Sequence, residues 1–293
     1  MFRPRILSLI LVMALIVTVT LIYGQFFGSP PSFAQAQTQL VPLVTDQTPL
    51  ALSNSFGVPQ SAVVNQAGDY AFVGNGASAV FYRRAGAGAP GRVMQMGDEV
   101  PGFPGSRNDI TNTLRLNNSG LIAFRPDFFQ ANGVGQGAIF TFDGTSLHQI
   151  ISGADLAPGG GGAKFERNIN LLGLNDSSDV AFTAPLVPSG SILPLQTTLY
   201  IVPAGGVPVR VAGLGDTAPG TSGGTFSALA FLGFNNLGEE LFRSNIIGGS
   251  GGQGLFVGNT SGVRKVVATG DTRPEGGVFR QLFKQLSSTI LGK

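Results

Sequence analysis

The chain has no cysteine, no tryptophan and a single histidine, His148. The absence of cysteine excludes a disulfide framework, thiolate chemistry and cysteine-ligated metals. One histidine is too few for zinc sites that are built on several histidines. A lone histidine in a strand is more often an exposed or hydrogen-bonded side chain than a member of a catalytic triad. We therefore predict no catalytic residue and no cofactor.

The sequence also lacks a large excess of either positive or negative side chains. The sequence has 18 Lys and Arg against 16 Asp and Glu, and the difference is due to Arg3 and Arg5, the only charged residues among the first 36. The rest of the chain therefore has no net charge, and it contains no basic run. Because nucleic-acid binding needs a basic surface, we predict that nucleic acid is not a partner.

Residues 1–36 have the layout of a secretory signal. Two arginines precede an apolar run over residues 6–23, and Ala34-Gln35-Ala36 is a small-residue cleavage site before Gln37. The run is longer than a typical signal core and reaches the lower limit of a membrane span, so an uncleaved N-terminal membrane anchor is the alternative. In both cases we predict that residues 37–293 are secreted, periplasmic or at the cell surface.

An internal repeat organises the remaining sequence. Five times an Asp is followed three residues later by a Pro, at intervals of 52 to 61 residues. Between successive markers lie an Asn, a Phe seven residues after it, and a further aromatic residue. The marker aspartates are Asp46, Asp98, Asp155, Asp216 and Asp271, and the asparagines are Asn65, Asn117, Asn175 and Asn235.

The repeat predicts one all-β domain over residues 37–293. Each unit has turn and apolar signals for four short strands, and no sustained helical period is present. Tandem four-stranded units favour a β-propeller-like fold with four full units and a half unit; a β-solenoid or another stacked repeat is the alternative. The predicted units span about residues 46–97, 98–154, 155–215, 216–270 and, for the partial unit, 271–293.

The predicted strand pattern begins and ends on the same two strands of the repeat. Duplicated ends do not complete each other, so the pattern predicts an incomplete or open ring. Exposed strand edges favour pairing with another chain. We therefore predict self-association through these edges.

The marker aspartates have two interpretations. In the first, each carboxylate accepts backbone N–H groups and caps its own turn. In the second, the five carboxylates converge and bind Ca²⁺. Recurrence in every unit favours the structural interpretation, because a functional site usually breaks the repeat.

The repeat is broken in one connection, between the Asn-turn strand and the aromatic strand. Its length varies, and we predict loops over residues 125–137, 183–197 and 243–253 on one face of the assembly. Loops that share a face are the best candidates for a ligand surface. The candidate residues are Arg125, Asp127, Phe128, Phe129, Arg243 and Asn245.

Residues 215–226 read G-D-T-A-P-G-T-S-G-G-T-F and are followed by an Asn turn and a strand. This pattern resembles the tandem-repeat module of uncharacterised secreted bacterial proteins, and it is more weakly similar to the periplasmic propeller of the Tol system. The resemblance covers residues 40–285; the marker at Asp46 lacks the preceding Gly, and the second unit lacks the later Phe. It implies export and a propeller-like fold, and it supplies no catalytic residue.

Two functions agree with these observations. The first is a secreted or surface-exposed, non-enzymatic β-repeat module that binds a protein, a glycan or another envelope component. The second is an extracellular polysaccharide hydrolase or lyase that uses a carboxylate pair. Asp127 and Glu166 are the candidates for this pair, because neither occupies a position that recurs in every unit.

Overall fold

The computed structural model describes residues 59–74, 78–191 and 197–282. These residues form strands and turns and contain no helix, so none of them belongs to a helix that could cross a membrane. The predicted all-β fold is confirmed. The predicted leader and the first marker, Asp46, lie outside the described residues.

The strands form four antiparallel sheets, each built from consecutive strands. The first sheet contains β1 (Pro59–Val64), β2 (Tyr70–Gly74), β3 (Ala79–Arg83) and β4 (Gly91–Met94). The second contains β5 (Arg107–Leu116), β6 (Ile122–Phe129), β7 (Gly135–Phe142) and β8 (Leu147–Ser152).

The third and fourth sheets have an additional two-residue strand each. The third contains β9 (Lys164–Phe165), β10 (Asn170–Leu174), β11 (Val180–Val187), β12 (Thr197–Val202) and β13 (Val209–Gly213). The fourth contains β14 (Thr225–Phe226), β15 (Ala230–Phe234), β16 (Glu240–Ile247), β17 (Gly252–Asn259) and β18 (Gly262–Ala268). The sequence pattern treats β1 as part of a duplicated end, but the structure pairs β1 with β2 and so completes the first sheet.

Each sheet packs between its neighbours because alternate residues of a strand point to opposite faces. In the third sheet, Phe182 and Tyr200 pack towards the second sheet, whereas Leu199 and Ile201 pack towards the fourth. We call the face that carries the recurring aromatic residues, such as Phe182 and Tyr200, the rear face, and the opposite face the front face. The rear face of one sheet therefore covers the front face of the sheet before it, as in a propeller-like array.

The asparagine column joins successive units through hydrogen bonds. The side-chain amide of Asn65 donates to the carbonyl of Asn117 at 2.9 Å, that of Asn117 to Asn175 at 3.0 Å, and that of Asn175 to Asn235 at 3.2 Å. The Oδ1 atom of each Asn also accepts the backbone N–H four residues later and so closes its own turn. We call these contacts the asparagine ladder. They explain why Asn recurs in every unit.

Candidate functional site

The described marker aspartates cap their own turns. The carboxylate of Asp216 accepts the N–H of Gly213 at 2.7 Å and binds the guanidinium of Arg210 through both oxygens, at 2.7 and 2.9 Å. Asp98, Asp155 and Asp271 likewise accept the N–H three residues earlier. No group of three or more acidic or histidine side chains is arranged for a metal ion within the described ranges. The geometry favours the capping interpretation.

The variable connections are mainly extensions of hairpins and not loops. The strand β6 continues to Phe129, and β7 begins at Gly135, so most of the predicted loop over residues 125–137 is paired. In the fourth sheet β16 continues to Ile247. The prediction of loops over residues 125–137 and 243–253 was wrong, because the extra residues lengthen the strands. In the third sheet β11 ends at Val187, residues 188–191 lie outside the strands, and residues 192–196 are outside the described part of the chain.

The predicted ligand-face residues have different surroundings. Phe128 is 1% exposed and packs on Phe103, with ring centroids 4.7 Å apart, so it belongs to the core. Phe129 is exposed, whereas Arg125 forms an ion pair with Asp127. Burial raises the pKa of Asp127, against the lowering effect of the neighbouring Arg125. These side chains therefore do not form one continuous surface.

The two candidates in the fourth sheet, Arg243 and Asn245, are both exposed on β16. The carbonyl of Asn245 accepts the N–H of Ser227 at 2.9 Å, which fixes the edge of the hairpin. Their side chains stand on the front face of the sheet, since Arg243 is paired with Leu255 in the register.

A cleft of about 600 Å³ lies between the second and third sheets. One wall contains Gln136 of β7 and Gly153, which follows β8, and the other contains residues 164–167 and the end of β11. The cleft exists because β9 pairs with the extended end of β11 and holds residues 164–167 beside the second sheet. The same pairing of a two-residue strand recurs between β14 and β16 in the fourth sheet, so what distinguishes the cleft is the identity of its side chains.

Cationic and polar groups dominate the chemistry of the cleft. Lys164 is exposed, and the side chain of Arg167 is 61% exposed. Glu166 is less available, because its Oε2 atom accepts the N–H of Asn168 at 2.7 Å and its Oε1 atom forms an ion pair with the Nε atom of Arg167 at 3.7 Å. The Oε1 atom of Gln136 is buried and has no hydrogen-bond partner within the described residues. Lys164 and Arg167 can therefore attract an anion and donate hydrogen bonds to it, whereas the Oε1 atom of Gln136 can only accept one.

The proposed carboxylate pair is not assembled in this cleft. Glu166 lines it, whereas Asp127 is not among the lining residues and is ion-paired with Arg125. A glycosidase mechanism needs both carboxyl groups on either side of the same bond. Asp127 and Glu166 therefore do not form such a pair in this cleft.

The model of a family of unknown function (DUF7453) matches residues 33–293. The chain belongs to DUF7453. No curated protein matches it.

Two solved structures are similar to this DUF7453 member at low identity. A chain in the crystal structure of the mitotic checkpoint complex is 11% identical, with 78% of this chain and 88% of that chain covered and a TM-score of 0.20. The virginiamycin B lyase from Staphylococcus aureus is 12% identical, with 71% and 72% covered and a TM-score of 0.23. Likenesses at this level give no information about activity.

Sequence reasoning missed the cationic residues of the cleft in this DUF7453 member. Lys164 and Arg167 flank Glu166, which the sequence had already indicated, and they directly follow a marker turn in a weakly charged sequence, so a signal was present. Gln136 had no signal, because its place in the cleft depends on how the two sheets stack.

Sequence reasoning also passed over residues 220–224, which read G-T-S-G-G and match the G-x-S-x-G nucleophile motif. That motif needs a strand-to-helix turn, whereas this segment leads into β14. The φ of Ser222 is 56°, and Gly161, at the same place in the preceding unit, has a φ of 63°. The left-handed backbone therefore belongs to the repeated turn and does not mark a nucleophile.

A buried carboxylate in the fourth sheet is a second departure from the repeat. Glu240 is 0% exposed and occupies the position that Tyr70, Ile122 and Val180 fill in the other units. Neither of its carboxylate oxygens has a hydrogen-bond partner among the described residues. Burial raises the pKa of Glu240 to about 9, so the group is protonated at neutral pH.

Proposed function

We propose that this DUF7453 member is an exported, non-enzymatic β-repeat module that binds an acidic glycan of the cell envelope or its surroundings. The cleft between the second and third sheets carries the proposal. The recurring residues have structural roles, in the marker-turn caps, the asparagine ladder and the core. Lys164 and Arg167, in contrast, are exposed at positions where the units differ in sequence. Arg167 is also ion-paired with Glu166 at 3.7 Å, but its side chain is 61% exposed and can still contact a ligand.

The chemistry of the cleft supports an anionic sugar. Arg167 presents a planar guanidinium that suits bidentate contact with a carboxylate or sulfate, and Lys164 adds a second positive charge. Ser189 also lines the cleft, and its hydroxyl group can bind a sugar hydroxyl.

Export supports the same function and rests on the N-terminal sequence. The two arginines, the apolar run over residues 6–23 and the Ala34-Gln35-Ala36 site form a secretory signal. We expect the exported protein to begin at Gln37, which mass spectrometry of the secreted or periplasmic fraction would detect. An intact N-terminus in the membrane fraction would establish the anchor instead.

Binding to immobilised acidic and neutral glycans tests the proposed ligand class. We expect Arg167→Ala to weaken binding to the acidic glycan by about tenfold, because one charge-assisted hydrogen bond is lost. Arg92→Ala is the matched control, since Arg92 is an exposed arginine of the first sheet. Equal loss in both variants would reduce the effect to general attraction, and no binding to any glycan would refute the proposal.

The same incubation distinguishes binding from hydrolysis. We expect the acidic glycan to be recovered at its original length. Shortened products that disappear in Glu166→Gln would favour the polysaccharide hydrolase or lyase and would contradict a binding-only module.

A further inference from the structure

An exposed aromatic residue stands at the end of a central strand of the second sheet. Phe129 is the last residue of β6 and is 49% exposed. Its backbone is paired with Arg107 of β5 on one side and with Gly135 of β7 on the other. Directly after it the hairpin closes, with the N–H of Gln130 donating to the carbonyl of Val134 at 2.9 Å. Because the strand is held on both sides, little conformational freedom is lost when a ligand covers the ring.

The repeat does not need an aromatic ring at this position. The strands β11 and β16 have the same length as β6 and end on the aliphatic residues Val187 and Ile247. Ile247 is also exposed, at 66%. A single exposed apolar residue is common on protein surfaces. The groups that lie beside Phe129 therefore decide whether its ring has a function.

Arg167 lies beside this ring because β7 carries glycines there. Gly135 and Gly137 share the face of Ile139, which packs towards the third sheet. A Cβ atom on Gly137 would overlap the carbonyl oxygen of Arg167, so the approach of that backbone requires glycine. A Cβ atom on Gly135 would lie 2.8 Å from the Nη1 atom of Arg167 and 3.8 Å from the Cε1 atom of Phe129. The guanidinium and the ring are therefore neighbours at Gly135, which lines the cleft.

The nearby carboxylates do not cover this side of the guanidinium. Glu166 approaches Arg167 at the Nε atom, whereas the Nη1 atom lies beside Gly135. Asp127 is also close to β7, but its Oδ1 atom forms an ion pair with Arg125. Burial raises the pKa of Asp127, and Arg125 lowers it more than Arg167 does. Asp127 is thus mainly the partner of Arg125, and an anion can reach Arg167 from the side of the ring.

We propose that Phe129 stacks on a sugar ring of the bound glycan and selects a polyuronate, in which each pyranose ring carries its own carboxylate. This inference rests on the proposed function of the cleft. The face of a pyranose ring is rich in C–H groups, and an aromatic ring that covers it removes apolar surface from water. Arg167 can then donate two parallel hydrogen bonds to the carboxylate. An acidic polymer without sugar rings would gain only the contact with Arg167.

Binding of the full chain to two acidic polymers tests this selection. Polygalacturonate is a polyuronate, whereas poly-glutamate has carboxylates but no sugar ring. We expect Phe129→Ala to weaken binding to polygalacturonate by about tenfold and to leave binding to poly-glutamate unchanged. Arg167→Ala should weaken binding to both polymers. Ile247→Ala is the matched control and should bind like the unchanged chain, since Ile247 is the exposed last residue of β16.

Two further variants report on the ring itself. Phe129→Tyr keeps an aromatic ring and should bind polygalacturonate like the unchanged chain. Because the sequence has no tryptophan, Phe129→Trp introduces a single indole at this position. Stacking removes the indole from water, so we expect its emission to move to shorter wavelength with polygalacturonate and not with poly-glutamate.

Unchanged binding of polygalacturonate by Phe129→Ala, together with weaker binding by Arg167→Ala, would overturn the stacking role and leave the proposed function standing. Equal weakening for both polymers in Phe129→Ala would also overturn it, because a stacking contact requires a sugar ring. Binding of other acidic glycans but not of polygalacturonate would contradict the selection of a polyuronate alone. If the unchanged chain binds no acidic glycan, the proposed function itself is wrong.

Discussion

The third and fourth sheets have the same repeated parts and differ at a few buried positions. Both contain a capped marker turn and a stacked aromatic pair on the rear face, with centroid distances of 5.3 Å for Phe182 with Tyr200 and 5.7 Å for Phe242 with Phe256. The residue that opens the Asn-turn strand is Val180 in the third sheet and Glu240 in the fourth. The sheet forms in both cases.

The comparison separates two contributions to the fold. The recurring residues fix the turns, the strand pairing and the rear-face packing, and these survive a carboxyl group in the core. The remaining positions set the stability of each unit, because an unpartnered polar group loses its hydration on burial. The fourth unit therefore carries a stability cost that the third does not.

Replacing Glu240 by valine, the residue of the third sheet, should have the largest effect. We expect Glu240→Val to raise the free energy of unfolding at pH 7 by about 3 kcal/mol, because the buried carboxyl no longer needs to take up a proton on folding. Urea unfolding at several pH values measures the change.

The pH dependence of the free energy of unfolding tests the same burial, because its direction can be predicted. The pKa of Glu240 is about 9 in the folded protein, above the ordinary glutamate value of 4.5, so its contribution to stability is fully present below pH 4.5 and is lost as the pH rises towards 9. The slope over this range should disappear in Glu240→Val. Glu239→Gln is the control, since hydrogen bonds from Asn235 lower the pKa of Glu239 and its titration lies below this range. An unchanged slope in Glu240→Val would contradict the burial of a protonated carboxyl.

The asparagine ladder offers the next largest effect. Asn175 is buried and joins the third and fourth units, whereas Asn235 is exposed at the end of the ladder. We expect Asn175→Ala to lower the free energy of unfolding by about 2 kcal/mol and Asn235→Ala by about 1 kcal/mol, because a buried partner left unpaired costs more. Equal losses in thermal or urea unfolding would mean that the ladder does not stabilise the stack.

The marker turn gives the smallest effect. We expect Asp216→Ala to lower the free energy of unfolding by about 1 kcal/mol, through loss of the cap on Gly213 and the ion pair with Arg210. Thermal unfolding with and without calcium checks this value. Unchanged stability together with lost calcium binding would restore the metal interpretation.

The repeat could be recognised in the sequence because its recurring residues make hydrogen bonds within their own turns. An Asn that closes a turn with the N–H four residues later, or an Asp that caps the N–H three residues earlier, is fixed by short-range geometry. Every unit needs the same residue type to make such a contact, as at Asn175 and Asp216. The all-β fold and its tandem units followed from them.

The hairpin extensions were harder to predict. The sequence over residues 125–129 contains Pro126, which lacks an N–H and argues against a paired strand. In the structure Pro126 lies opposite Thr111, beside a break in the register of β5 and β6, where the missing donor is tolerated. The cleft could not be predicted for another reason. Gln136 and Arg167 line it together only because two separate sheets stack, and no local sequence pattern indicates this stacking.

The central claim is that repeated residues build the fold while residues outside the repeat bind the ligand. The affinity for an acidic glycan, measured for Asp216→Ala and Arg167→Ala, tests it most directly. We expect the folded Asp216→Ala protein to bind like the unchanged chain and Arg167→Ala to bind about tenfold more weakly. Lost binding in Asp216→Ala with unchanged binding in Arg167→Ala would contradict the account.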